Sequence, residues 1–483
     1  MKYLHIFSGL LLLTVVSFSC SGKVPETEEP ATENTEEPTK PEPKPVPTAD
    51  TEDWVYRTDA KTGEKEKFFG VVMWHVPGYK LTTTPDPDDT NEADYLRRTA
   101  YCNVVMVDPR YLKPYMSQRM QMISNFSNTV HGYLDKIDGL PKTATDKDYF
   151  RTQYLKANVN NPDFVQALDN AVRSLMNDYR DYERIYAPID ELALGGVARW
   201  YIPASVGDKI YERIKLKEKD PIVIVDLMGH GRGSTYFFEQ NYLKDHPIMP
   251  ANPPYELLSE NARKQKDLPL LGFSQAHDGT GVYTYDASGK YSYTNLSEEK
   301  LKSLWFENVK QVAAAYKNNG NVFSINAFRD FNAYPILAAV TTDALKAGLG
   351  KMPVWLYFDG NGYAKPATLS PENYIRSVKC QIYTSLVHGA TGIMFWNDWH
   401  KTPEVYEALQ PTLKELQENL PVIKLQTVDK KIAGHLHLLV KQDANGKQYV
   451  VATNTDKSKS VNLPFAVGNK KALAPLEVFV SAL

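Results

Sequence analysis

Along the middle of the chain, short apolar runs alternate with stretches whose apolar residues recur at helical spacing. The runs are FFGVVMW (68–74), NVVMVDP (103–109), TVHGYLDKI (129–137), RIYAPIDEL (184–192), PIVIVDLMG (221–229), NVFSINAF (321–328), PVWLYFDG (353–360) and TGIMFWNDW (391–399), the third being the weakest. They are β-rich and apolar on both faces, as strands must be when helices cover a parallel sheet from outside and side chains fill it from within. Helical segments at 163–180, 297–317 and 371–388 separate them, and another follows at 403–418. Eight such units over residues 54–425 predict an α/β fold, a (β/α)8 TIM barrel with inserted loops. A doubly wound sheet is the alternative, and the run LPLLGFSQ (268–275) is a rival for the sixth strand. Most runs end in a polar or aromatic residue followed by Gly, Pro or Asn, as expected where strand ends feed the loops of a site, and this favours the barrel.

Beyond the last helix the period changes. HLHLLVKQD, QYVVATNT, SVNLPFA and LEVFVSAL, joined by NG, DK and GN turns, predict a small C-terminal antiparallel β-sandwich over 426–483. At the other end, Lys2, an apolar run from Ile6 to Val16 and small residues ending at Ser19-Cys20 make residues 1–20 a secretory signal. Its apolar stretch falls short of the ~20 residues a membrane span needs. Ending in Cys20, it resembles the bacterial lipoprotein pattern, with Ser17 where Leu or Val is usual. That resemblance implies acylation of Cys20 and a secreted, lipid-anchored protein on the outer-membrane surface or facing the periplasm. Residues 21–53, rich in Pro, Glu and Thr, have too few bulky apolar groups to offset ordering entropy and read as a disordered spacer.

Composition narrows the function. With 42% hydrophobic and 23% charged residues in 483, the chain is an ordinary globular protein. A net charge of −3 without a Lys/Arg block argues against nucleic acid as a partner. Cys102 and Cys380 fall in separate core segments and read as buried free thiols; no His/Cys spacing suits a metal, and no cofactor motif occurs, since GHGRG (229–233) lacks the phosphate-loop ending.

In a barrel the chemistry sits at the C-terminal strand ends. The polar and aromatic residues there are Trp74 and His75, Asp108, Asp135, Asp190 and Glu191, Asp226, Asn326 with Arg329 and Asp330, Asp359 with Asn361, and Trp396, Asn397, Asp398 and Trp399. Any single Asp could cap a helix or pair with an Arg. Together they form an acidic, aromatic-lined mouth. Glycosidic cleavage needs one carboxylic acid to protonate the leaving oxygen and one carboxylate to attack carbon or activate water. Trp and Tyr match the apolar faces of sugars, and Asn, Asp and His bond the hydroxyls. His230 in DLMGHGRG, and His277-Asp278 in SQAHDGTG, lie in Gly-rich loops; His230, just past the fifth run, is placed to bond a sugar hydroxyl.

The block YIRSVKCQIYTSLVHGATGIMFWNDW (374–399), preceded by MPVWLYFDG, resembles the last strand–helix–strand of clan A, family 42-like barrel glycoside hydrolases. IYAPIDEL is similar to their acid/base strand, and VATNTDKSKSVNLPF with APLEVFV to their accessory sandwich. The resemblance implies Glu191 as acid/base and puts Asp359 where a Glu nucleophile is expected. Asp359 and Asp190 both depart from the pattern, which has Glu and Asn there. Asp359 is therefore a nucleophile in a tighter site, a base for water, or not catalytic. The expected function is hydrolysis of a poly- or oligosaccharide by Glu191 and Asp359, with Trp74, His75, Asp108, Asp190, Asp226, His230, Asn326, Asn361, Trp396, Asn397 and Asp398 binding substrate, and with glycan-uptake proteins as partners. The alternative is a glycan-binding lipoprotein without turnover on the same scaffold.

Overall fold

A computed structural model describes residues 53–58, 62–76, 91–107, 112–140, 151, 154–178, 184–189, 204–228, 281–285, 291–295, 297–326, 335–362, 365, 368–396 and 402–483. Eight parallel strands form one sheet: β3 (Gly70–Val76), β4 (Val104–Val107), β5 (Gln121–Asn125), β6 (Arg184–Ala187), β7 (Ile222–Met228), β10 (Val322–Asn326), β11 (Trp355–Phe358) and β12 (Gly392–Trp396). Their spatial order is β10-β7-β6-β5-β4-β3-β12-β11. The two ends meet: Phe323 bridges Val354 in parallel, and its N–H donates to the Pro353 carbonyl at 2.9 Å. The sheet is thereby a closed (β/α)8 barrel, without an open edge. LPLLGFSQ lies outside the described residues, and the barrel has eight strands without it.

The helices of the outer layer are α1 (Asn91–Thr99), α2 (Leu112–Ser117), α3 (Ser127–Leu134), α4 (Pro162–Asp178), α5 (Ala204–Lys215), α6 (Glu298–Tyr316), α7 (Ile336–Leu349), α8 (Pro371–Val387) and α9 (Pro403–Ile423). One expectation is corrected here. TVHGYLDKI is not the third strand; most of it is α3, because Val130, Tyr133 and Leu134 recur at i, i+3 and i+4 and are the residues it buries. The third strand is QMISN at 121–125, paired in parallel with β4 and β6. Asp135 accordingly caps the C-terminal end of α3 and forms an ion pair with Arg151, so it ends no strand.

Two asparagines set the starts of neighbouring strands. Asn103, before β4, accepts from the Val71 N–H (2.8 Å) and donates to the Phe69 carbonyl (2.9 Å). Asn321, before β10, does the same to Val223 N–H (2.8 Å) and the Pro221 carbonyl (2.7 Å). Each side chain thus pairs both backbone groups at the unladdered start of the adjacent strand, which would otherwise be left buried without partners. This is the role of the Asn in NVVMV and NVFSI.

The lower end of the barrel is filled by Trp355. Its indole lies against two strands that carry no side chain there: a Cβ at Gly70 would fall 2.6 Å from the ring and one at Gly392 2.5 Å from it. An N-terminal hairpin, β1 (Val55–Thr58) with β2 (Lys65–Phe68), packs beneath. The Phe68 ring lies 5.8 Å from Trp355, and the Arg57 guanidinium sits 4.1 Å over that same Phe68 ring. Asp53, at the head of the hairpin, holds Lys346 in the last turn of α7 (3.2 Å), and its carbonyl accepts from Thr391, the residue before β12 (3.1 Å). The chain therefore enters the barrel body at the N-terminal ends of the strands.

At the C-terminus a four-stranded antiparallel sheet, β13 (Gln426–Ala433), β14 (Leu436–Gln442), β15 (Gln448–Asn454) and β18 (Val478–Ala482), faces a hairpin of β16 (Val461–Val467) and β17 (Lys470–Leu473). Leu436, Leu438, Val440, Val450 and Ala452 meet Leu463, Val467 and Leu473 between them. The other face packs on the barrel: Thr453 bonds Thr384 of α8 at 2.8 Å, and Cys380 donates to the Asn454 carbonyl at 3.3 Å. Both faces of β14 are covered, so it is buried almost throughout rather than alternating with solvent. A further hairpin, β8 (Gly281–Tyr285) with β9 (Tyr291–Asn295), precedes α6.

Candidate functional site

Strand register decides which residues line the barrel. The Phe358 and Phe395 rings lie 6.5 Å apart with their planes tilted at 51°, and a Cβ at Gly360 would meet Phe395 and Leu409 of α9, so this parity faces the helices. The opposite parity faces inward: Trp355 and Tyr357 of β11, Gly392 and Met394 of β12, Gly70, Val72 and Trp74 of β3. The same register followed round the sheet puts Val104 and Met106 of β4, Ile123 of β5 and Ile185 of β6 inside. It also puts Ile222, Ile224 and Asp226 of β7, with Ser324 of β10, on that inner face.

In a staggered eight-stranded barrel, alternate strands contribute to one layer of side chains. β3, β7 and β11 are alternate strands in this sheet. Trp74 and Tyr357 touch across β12, ring centroids 6.1 Å apart and planes at 71°, an edge-to-face pair. Asp226, on the wall between β6 and β10, is fully buried beside Ser324, its register partner, whose hydroxyl has no hydrogen-bond partner among the described residues. A carboxylate and an aromatic pair thus lie near the C-terminal end of the barrel interior, below the strand ends.

One residue beyond β11, Asp359 is 2% exposed. Its Oδ1 accepts from the Asn361 N–H at 3.1 Å, and its Oδ2 accepts from the Tyr374 hydroxyl at 2.6 Å. Asn361 is buried too, and its carbonyl accepts from the Thr402 hydroxyl just before α9. The turn after β11 is held from two sides, by the start of α8 and the start of α9. A carboxylate gripped by two donors has a fixed plane, which is what a nucleophile or a base needs.

The other expected site residues divide into two groups. His75 lies in β3, Asn326 in β10 in register with Met228, and Trp396 in β12 in register with Trp74, all at C-terminal strand ends. Asp108, Asp190, Glu191, His230, Asn397, Asp398 and Cys20 lie outside the described residues, as do His277, Asp278, Arg329, Asp330 and Trp399. Trp74, Asp226, Asp359 and Asn361 are the four whose side chains are described, and all four are buried at or near the strand ends. Sequence reasoning missed Tyr357 and Tyr374. Tyr357 stands two residues before Asp359, and the alternation of WLYFD could have found it. Tyr374 is 15 residues from Asp359, and no local pattern joins them.

Cys102 and Cys380 are free and buried, as expected, and burial pushes both thiols up to about 12. A second polar cluster lies away from the mouth, where α8 ends. The His388 ring bonds Asp343 of α7 through Nδ1 (2.8 Å) and His437 of β14 through Nε2 (2.9 Å), and His437 Nε2 reaches the Thr455 hydroxyl (3.3 Å). The partners assign a one-way chain of neutral rings: His388 Nδ1–H donates to Asp343, His437 Nδ1–H donates to His388, and Thr455 donates to His437. Burial, then the neighbouring His388, His435, Lys430 and Lys302, lowers His437 to about 2. Burial also lowers His388, against the opposing pull of Asp343.

No family model matches the chain, and no curated protein is similar to it. Among solved structures, the chain is similar to an alpha-amylase from Geobacillus thermoleovorans complexed with acarbose, at 13% identity and TM-score 0.41, covering 86% of this chain and 98% of that one. It is also similar to an Anoxybacillus alpha-amylase, at 9% and 0.47, covering 86% and 97%. A third is a putative alpha-L-fucosidase from Bacteroides thetaiotaomicron, at 8% and 0.35, covering 78% and 99%. At such identities and TM-scores these likenesses assign nothing to the chain; its barrel stands on its own strand order and closure.

Proposed function

We propose that the protein is a lipid-tethered glycoside hydrolase, family 42-like in its resemblance, that cleaves a poly- or oligosaccharide at the C-terminal mouth of its barrel. The observation that supports this most is the presence of buried carboxylates from distant parts of the chain, Asp226 and Asp359, at or near the C-terminal strand ends. In this reading Glu191 is the proton donor, and Asp359 attacks the anomeric carbon or activates water. His75, Asp108, Asp190, His230, Asn326, Asn361, Trp396, Asn397 and Asp398 bond or stack on the sugar. Two carboxyl groups suffice for the chemistry, and the reading needs no cofactor. Acylated Cys20 and the spacer 21–53 tether the body. The chain joins the barrel body beside Asp53, at the N-terminal strand ends. Glycan-uptake proteins are the partners this arrangement suits.

The test is release of reducing sugar from a panel of plant, microbial and host glycans by wild type, Glu191→Gln and Asp359→Asn. Removing a general acid or base costs about 10²–10⁴-fold in turnover, so each variant is expected to lose at least a hundredfold. Equal release by wild type and both variants would sink the assignment. A second reading, a glycan-binding protein without turnover, is favoured by one feature: both oxygens of Asp359 already hold protein donors. It predicts saturable glycan binding by all three proteins and release by none.

A further inference from the structure

Tyr374 has a place in the site that its position in the sequence hides. It lies in the first turn of α8, whose start is fixed by Ser370: the Ser370 hydroxyl accepts from the Asn373 N–H at 3.3 Å, and Pro371 follows. The ring is 1% exposed and packed into the barrel core, so the phenol cannot swing out to water. Its hydroxyl donates to Asp359 Oδ2 at 2.6 Å, a short, charge-assisted bond from the helix layer onto the end of β11. The Asn361 N–H holds the other oxygen from the turn itself. These two bonds hold the carboxylate through both of its oxygens.

We propose that Tyr374 is a positioning residue for Asp359, fixing the plane of its carboxyl and favouring its ionised form. The inference rests on the glycosidase reading above and deepens it. With a donor on each oxygen, rotation about the Cβ–Cγ bond breaks at least one of the two bonds. Loss of the hydroxyl would therefore cost reactivity more than substrate affinity, because positioning acts on the reacting atoms and not on the sugar contacts.

The decisive variant is Tyr374→Phe in the full chain, which keeps the ring and removes one oxygen. In carboxyl ¹³C NMR of Asp-labelled protein, with the Asp359 signal assigned by its loss in Asp359→Asn, the titration midpoint is expected to rise by at least about half a pH unit. On any glycan of the panel that wild type cleaves, kcat is expected to fall about tenfold or more with KM within about twofold, and the acid limb of kcat/KM is expected to move to higher pH. A titration unchanged from wild type, with thermal stability alone reduced, would overturn the proposal and leave Tyr374 a packing residue. So would a loss confined to KM. Absence of hydrolysis by wild type would sink the glycosidase reading instead, and the Asp359 titration would still decide the coupling. Should Tyr374→Phe fail to fold, 3-fluorotyrosine at 374, a stronger donor, is expected to move the midpoint down, and no movement would overturn the proposal.

Discussion

Gly392→Ala is expected to destabilise the protein by at least about 3 kcal/mol, the upper end of what overpacking a filled core costs. The new Cβ would fall 2.5 Å from Trp355 Cδ1 and 2.6 Å from Cγ. The indole cannot retreat, because Gly70 lies on the far side of Gly392 in the sheet and the ring already meets its backbone closely. Phe68 and the Arg57 guanidinium close the space beneath. Urea unfolding of Gly392→Ala, Trp355→Leu and the double variant measures the coupling. Trp355→Leu alone leaves a cavity, at a cost of roughly 2–5 kcal/mol. In the double variant the methyl enters that cavity, so the two losses are expected to fall short of their sum by at least about 1 kcal/mol. Strict additivity would show that the indole does not fill the glycine slot.

Acidification should loosen the junction between the barrel and the C-terminal sheet well before the carboxylates titrate. His437 is lowered to about 2 in the folded chain by burial first and then by His388, His435, Lys430 and Lys302, against about 6.5 when unfolded. Below pH 6.5 the unfolded chain binds a proton that the folded chain refuses. Stability is therefore full above that pH and falls as pH drops towards the folded value, by about 1.4 kcal/mol per pH unit. From His437 alone the loss at pH 5 is about 2 kcal/mol, and His388, shifted the same way, adds to it. The Asp343 carboxylate opposes the shift at His388, while Glu298 and Asp456 lie 3.7 and 3.9 Å from His435 at the rim. His437→Asn retains a donor for His388 and removes the titration. Urea midpoints between pH 7.5 and 5 are expected to fall less steeply in this variant; parallel slopes would remove His437 from the acid response.

How much of this was legible in the sequence depended on whether each signal was local. Strands such as PIVIVDLMG and TGIMFWNDW are continuous apolar runs because one face meets helices and the other a filled barrel, and β7 and β12 lie within them. QMISN has polar residues at both ends and only five positions, so the apolar TVHGYLDKI beside it drew the assignment; its 3,4 spacing was the overlooked sign of a helix. The opening FFGVVMW straddles two elements, since Phe68 ends β2 and β3 starts at Gly70. β14 was legible as a strand of the C-terminal sheet, although its packing between α8 and a second sheet buries both of its faces.

At the site, Asp226 and Asp359 were legible as polar residues closing apolar runs. Their surroundings were not. That Tyr374 reaches Asp359, and that Trp74 meets Tyr357 across an intervening strand, follow from barrel closure and stagger, which bring together residues with no spacing in common. Trp74 is also fully buried, so it is part of the packed interior and not an open surface for a ring to lie on.

The proposed hydrolysis requires Glu191 and Asp359 to address one bond from the two sides of a common cleft. A crystal structure that includes both residues would give the separation of their carboxyl groups directly. A distance of about 5–5.5 Å is predicted for a retaining enzyme, or about 6.5–9.5 Å for an inverting one with room for water. Carboxyl groups more than about 10 Å apart, or a Glu191 side chain turned outward among the helices, would contradict it.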